Sequence, residues 1–191
     1  QGYILKGMPV IANWTPYVKT KPNANAVADL VAEQVTAPLT WKDVERFREI
    51  WPRNLLIKGI MHPSDAIKAA DLGCDGIVVS NHGARQLDRA PASIEVLPSI
   101  VSAVGDRITV ALDSGIRRGS DIVTALCLGA DFVFVGRASL YGVAASGMKG
   151  AEKAINILDR ETDLIMGQIG AATVDMLNDD LILSPIKFNS Q

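Results

Sequence analysis

From residue 40 onward the chain alternates short apolar runs with amphipathic segments. The runs are LLIK (55–58), GIVVS (76–80), ITVALD (108–113) and FVFVG (132–136). Between them lie PSDAIKAADLG, APASIEVLPSIVSAVG and RRGSDIVTALCLGA, with apolar residues at helical spacing and glycine where a helix would stop. The pattern predicts a repeated strand–helix unit. Strands apolar on both faces and joined by helical crossovers imply a parallel sheet covered by helices, because antiparallel neighbours need only short turns. A (β/α)8 barrel and a doubly wound sheet both answer to this, and both carry ligands where the strands end at their carboxyl side. Here those ends are Lys58, Ser80, Asp113, and Gly136 followed by Arg137.

The four units are half of an eightfold barrel, which usually needs about 250 residues. An open half-barrel leaves strand edges unpaired. The expectation is therefore the C-terminal half of a (β/α)8 TIM barrel, completed by an N-terminal half outside this sequence. Residues 1–39, rich in proline and asparagine and without a clear period, read as a loop segment with one helix in AVADLVAEQV. Residues 40–177 read as the half-barrel and 178–191 as a tail that ends in the loose SPIKFNSQ. Within the half-barrel, Thr40 is the expected cap of the helix in TWKDVERFREIW, with Asp43 in the capping-box position, and a last long helix is expected over roughly 148–168.

Composition narrows the partners. The 191 residues carry a formal net charge of -2 and a pI near 5.7, with basic residues dispersed, so no broad surface for nucleic acid is expected and any bound anion should be small and local. The two cysteines, Cys74 and Cys127, fall in segments that read as helical; they are too few for a disulfide scaffold or a metal cluster and suit a reducing compartment. No apolar run approaches the roughly 18–20 residues that span a bilayer, and no signal-peptide pattern opens the sequence. The expected location is cytoplasmic, and peripheral contact with the inner membrane stays compatible with it.

The chemistry concentrates at the strand ends. VALDSGIRRGSDIVTALCLGADFVFVGRASLYG sets a strand, a glycine turn and a helix start in series and then repeats the strand before Gly136 and Arg137. Glycines admit an anion close to the backbone, helix-start amides point at it, and Arg117 and Arg137 can each make a two-pronged contact to phosphate. Asp113 suits a sugar or ribityl hydroxyl. His82 can serve as a base near neutral pH, and the planar fork of Arg85 suits a substrate carboxylate. Lys58 ends an apolar strand, where a buried ammonium needs an anionic partner such as a reduced cofactor ring. Each has a plainer reading: turn glycines, solvated arginines, a surface histidine, and a lysine that escapes to solvent. His62, Trp14, Trp41 and Trp51 read as structural or packing residues, and Asp88 as a turn or loop-anchoring group.

Taken together, LLIKG, VVSNHGARQLD, LDSGIRRGSD and VGRASLYG resemble the FMN-dependent 2-hydroxy acid oxidases and dehydrogenases, among them glycolate oxidase, lactate oxidase and monooxygenase, and mandelate dehydrogenase. The resemblance covers nearly all of residues 38–177. It implies a barrel that holds FMN and oxidises an L-2-hydroxy acid to the 2-keto acid, passing electrons to oxygen, a quinone or another acceptor. It implies that His82 removes a substrate proton, that Arg85 binds the substrate carboxylate, and that Lys58 stabilises charge on the reduced flavin. Ser80 contacts the flavin in this picture, and Asp113, Ser114, Gly115, Ile116, Arg117, Gly136 and Arg137 form the ribityl and phosphate site. Residues 1–39 correspond to a variable loop that contacts the membrane in some dehydrogenases. The family's remaining contacts belong to the N-terminal half, so the isolated chain is expected to be inactive, and the whole protein to form a homo-oligomer. The REIWPRNLLIKG run and Ser114 look closer to mandelate and lactate dehydrogenases or monooxygenases and HGAR to the plant-type oxidases, and the balance leans to a dehydrogenase. Two alternatives remain: another FMN or phosphate-binding TIM-barrel enzyme, which leaves His82 with Arg85 unexplained, and a non-catalytic half-barrel module.

Overall fold

The structure is a computed structural model that describes residues 11–19, 23–35 and 39–183. SPIKFNSQ therefore lies outside the described residues, as does much of the first loop segment. The chain divides into two compact units, Gln1–Arg46 and Phe47–Gln191.

In the first unit a 3-10 helix, Ala12–Tyr17, precedes helix α1, Ala24–Val35. Asn23 starts α1 by accepting the Ala26 amide on its side chain at 2.9 Å. The segment read mostly as loop thus holds more regular structure than its composition suggested. Helix α2, Trp41–Ile50, begins where expected: the Asp43 carboxylate accepts the Thr40 amide at 2.7 Å and the Thr40 hydroxyl at 2.8 Å. These bonds hold the Asp43 carboxyl below its usual range.

The second unit is built on a four-stranded sheet in the order β1-β2-β3-β4, every pair parallel. The strands are β1 (Leu56–Ile60), β2 (Gly76–Val79), β3 (Thr109–Leu112) and β4 (Phe132–Val133). Helices α3 (Pro63–Asp71), α4 (Ser93–Val104) and α5 (Gly119–Cys127) make the crossovers. Ile77, Val79, Val110 and Leu112 from the sheet and Leu97, Ile100 and Val104 from α4 are essentially inaccessible and form the core. Burial on both faces holds for the central pair alone. The outer strands expose Leu56 and Phe132, Phe134 just past β4 is exposed as well, and β4 pairs over two residues rather than through the whole FVFVG run.

Side chains start the strands and helices. Asp75 accepts the Leu55 amide at 2.8 Å and pairs with Arg48 at 2.8 Å, while Asp131 accepts the Val110 amide at 2.7 Å. His62 caps α3, as its structural reading expected, by accepting the Ser64 amide at 3.2 Å. Cys127 ends α5, whereas Cys74 lies just past α3 in a turn; both are buried free thiols whose burial pushes their pKa up. Trp14 and Trp41 are half-buried, and Trp51, 49% exposed, donates to the Asn54 carbonyl. Asp88 is exposed in a turn, as one half of its reading expected, and anchors nothing through its side chain among the described residues.

The last helix, α6, is longer than expected, running from Arg137 to Ile169. Ser146 and Gly147 leave helical geometry and divide it into 137–145 and 148–169. The two arms meet at Gly142 and Gly150, where a Cβ on either would strike the backbone of the other. The second arm packs on α5 through Arg118, which pairs with Glu161 at 2.9 Å. Among the described residues, no helix is long and apolar enough to cross a membrane.

Candidate active site

The strand ends meet through a shared polar cluster. The Lys58 ammonium lies 2.7 Å from Asp113 Oδ2 and donates to Ser80 Oγ at 2.6 Å. Ser80 is 3% exposed, and its oxygen also accepts the His82 amide at 3.1 Å. Asp113 accepts from Ser114 Oγ at 2.8 Å. Burial raises the Asp113 carboxyl, but hydrogen bonds from Lys58, Ser80 and Ser114, with the charge of Lys58, outweigh it and hold the group below its ordinary value. This corrects the expectation for Lys58. Its side chain is half exposed on an edge strand, and its anionic partner is a protein carboxylate.

The loop after β2 carries His82 and Arg85 on an uncommon backbone. His82, Gly83 and Ala84 all have positive φ, at 58°, 66° and 60°. Two of the three bear a Cβ, for which this region is costly, so the surroundings must enforce it. Each amide is held by a side-chain oxygen: His82 by Ser80 at 3.1 Å, Gly83 by Ser114 at 3.0 Å and Ala84 by Asn81 at 3.1 Å. Asn81 also donates to the Pro91 carbonyl at 3.1 Å, closing the loop, and Arg137 donates to the Gly83 carbonyl at 3.1 Å. The His82 and Arg85 side chains are exposed and take no hydrogen-bond partner among the described residues.

His82, Arg85, Asp113, Ser114, Gly115, Ile116, Arg117, Gly136 and Arg137 line one cleft of about 450 Å³. Lys58 and Ser80 lie outside its lining and join it through Asp113. Phe134, Ser139, Leu140 and Val143, not foreseen from the sequence, complete the wall. A second cavity of about 390 Å³ shares Gly83, Ser114, Gly115, Ile116 and Arg137 and extends to Ser93, Asp121 and Thr124.

The expected anion grip needs one correction. At the start of α5 the Arg117 and Arg118 amides donate to Asp121 at 2.8 and 2.9 Å, and the Gly119 amide donates to Glu161 at 2.9 Å. That helix start is already satisfied by carboxylates. The start of α6 is different, for its cap residue Gly136 offers no side chain to the first amides. A Cβ on Gly136 or Gly115 would meet nothing within 4 Å, so both glycines border open space.

These residues fit FMN. The α6 start, Arg137 and Arg117 suit the phosphate, the Asp113 carboxylate suits a ribityl hydroxyl, and Lys58 supplies a cation beside them. Arg117 stands over the Tyr141 ring with 5.6 Å to its centroid, which steadies its fork at the rim.

The family profile described as FMN-dependent dehydrogenase matches residues 5–184. A peroxisomal (S)-2-hydroxyacid oxidase of Arabidopsis thaliana is 45% identical over 170 residues, covering 87% of this chain and 47% of that protein. An L-lactate dehydrogenase of Acinetobacter baumannii is 44% identical over 149 residues, 78% of this chain and 39% of the relative. Among solved structures, the monotopic membrane protein (S)-mandelate dehydrogenase superposes with a TM-score of 0.86 at 38% identity, covering 96% of this chain and 48% of that one. The chain thus spans about half the length, or less, of the relatives it matches.

Proposed function

Because the chain belongs to the FMN-dependent dehydrogenase family, we propose that the whole protein oxidises a small L-2-hydroxy acid to the 2-keto acid, with this chain supplying the base, the carboxylate anchor and the phosphate grip. One observation carries the reading: His82 and Arg85 open into the same cleft as Asp113, Gly136 and Arg137. FMN, when bound, supplies the two-electron acceptor. His82 accepts the substrate proton, since an imidazole does so readily near neutral pH. Arg85 pairs with the substrate carboxylate and turns the acid toward His82, with its planar fork fixing the orientation. Arg137, Arg117 and the α6 start hold the phosphate, and Lys58 keeps positive charge near the flavin while Asp113 and Ser80 position it.

The outer strands support completion of the barrel by further strands, because Leu56, Phe132 and Phe134 are left exposed beside open edges. Ile155, Ile157 and Leu164, exposed on the 148–169 arm, support burial against more of the protein or a second copy. The likeness to a monotopic membrane (S)-mandelate dehydrogenase supports peripheral membrane contact.

The test uses the full-length protein loaded with FMN. Anaerobic addition of lactate, glycolate or mandelate should bleach the flavin absorbance. His82→Ala should retain FMN and lose the bleaching. Bleaching at the parent rate in that variant removes His82 as the base.

A further inference from the structure

Ser114 stands on a left-handed backbone, φ 76°, directly before Gly115, φ 84°. Glycine would meet both positions without strain, whereas serine carries a Cβ into a region that disfavours it. Its hydroxyl does two things there. It donates to Asp113 Oδ1 at 2.8 Å and accepts the Gly83 amide at 3.0 Å, so one oxygen ties the end of β3 to the loop after β2.

Gly83 is the central residue of the left-handed run 82–84, next to His82 and two before Arg85. Its carbonyl is held from the opposite side by Arg137. The Gly83 peptide groups are therefore pinned between Ser114 and Arg137, and Ser114 is itself oriented by the carboxylate that pairs with Lys58.

We propose that Ser114 is a positioning residue: its hydroxyl holds the Gly83 amide and thereby sets the loop geometry that aims His82 and Arg85 into the cleft. The inference rests on the hydroxy acid reading of that cleft. It also refines the part expected of Ser114. Ser114 lines the cavity, and its hydroxyl is engaged by the Gly83 amide and the Asp113 carboxylate.

The experiment compares Ser114→Gly and Ser114→Ala with the parent in the full-length, FMN-loaded protein. Ser114→Gly removes the hydroxyl and relieves the backbone, so the fold should survive even where Ser114→Ala does not. The readouts are retained flavin absorbance, thermal midpoint, the anaerobic rate of bleaching, and amide hydrogen exchange of the 80–92 peptide. Positioning predicts retained FMN and an unchanged or higher midpoint for Ser114→Gly. It also predicts exchange in 80–92 faster by several-fold and bleaching slower by about 10- to 100-fold, the scale of small misplacements of reacting groups. A serine that merely fills a turn predicts the parent's rate and exchange in Ser114→Gly, and either of these unchanged overturns the proposal. If the parent itself fails to bleach with every acid, the functional reading falls, and exchange of the 80–92 peptide alone decides whether Ser114 holds the loop.

Discussion

Gly119 begins α5 at the point where that helix meets the 148–169 arm of α6. A Cβ there would lie 2.5 Å from the Glu161 carbonyl carbon and 2.6 Å from Glu161 Cβ, and closer still to the Thr162 nitrogen. Carbon atoms in contact stand about 3.5–4.0 Å apart, so Gly119→Ala obliges the two helices to separate by about 1 Å. Such overpacking costs roughly 1–3 kcal/mol, against which alanine returns about 0.5–1 kcal/mol of backbone entropy. Separation also stretches the bond from the Gly119 amide to Glu161. The net expectation is a loss of about 1–2 kcal/mol, or roughly 2–8 °C in the melting midpoint of a chain this size. The internal control is Gly167→Ala on the same arm, where a Cβ meets nothing within 4 Å. It should raise the midpoint by a few degrees, at about 0.5–1 kcal/mol. Thermal unfolding followed by circular dichroism reads both. Since α5 begins two residues after Arg117, FMN affinity should fall with Gly119→Ala and stay level with Gly167→Ala. A Gly119→Ala protein that melts at or above the parent temperature would show that the helices do not meet as described, and the argument from close approach would be wrong.

Arg137→Lys should raise the Kd for FMN by about tenfold, equivalent to about 1.4 kcal/mol, because a point charge reproduces neither the fork to phosphate nor the bond to Gly83. Flavin fluorescence titration measures it, and an unchanged Kd removes Arg137 from the grip. Acid should also expose the paired carboxylates. The Leu55 amide and the Arg48 guanidinium hold the Asp75 carboxyl below the ordinary aspartate value, and Asp113 and Glu161 are depressed as well. Groups with lowered native pKa stabilise the fold above their unfolded pKa and lose that contribution as pH falls through the native one. The melting midpoint should therefore hold down to about pH 5 and drop below about pH 4, and Asp75→Asn should flatten the drop. An equally steep fall in the variant refutes the assignment.

The alternation of apolar runs and helical periods was legible because each unit is local, and so were the strand-end residues, which need only the strand to be placed. What escaped depends on distance or on tertiary enforcement. Glu161 reaches the start of α5 from 42 residues away, and nothing near Gly119 announces a carboxylate in the place expected for an anion. Ala84 has no intrinsic preference for positive φ, and the Ser80, Asn81 and Ser114 side chains impose it on the loop. Lys58 was read with a missing partner because Asp113, 55 positions on, is joined to it by the fold alone. The α6 corner was hidden because helical residues continue on both sides of Ser146 and Gly147.

That corner has a consequence of its own. With no side chain between Gly142 and Gly150, the two arms lock like crossed rods notched into one another, and neither can slide along the other. The first arm starts at the proposed phosphate grip and the second leans on α5, so a disturbance at one end is delivered mechanically to the other. A glycine that no ligand ever touches thereby becomes as intolerant of replacement as those at the rim.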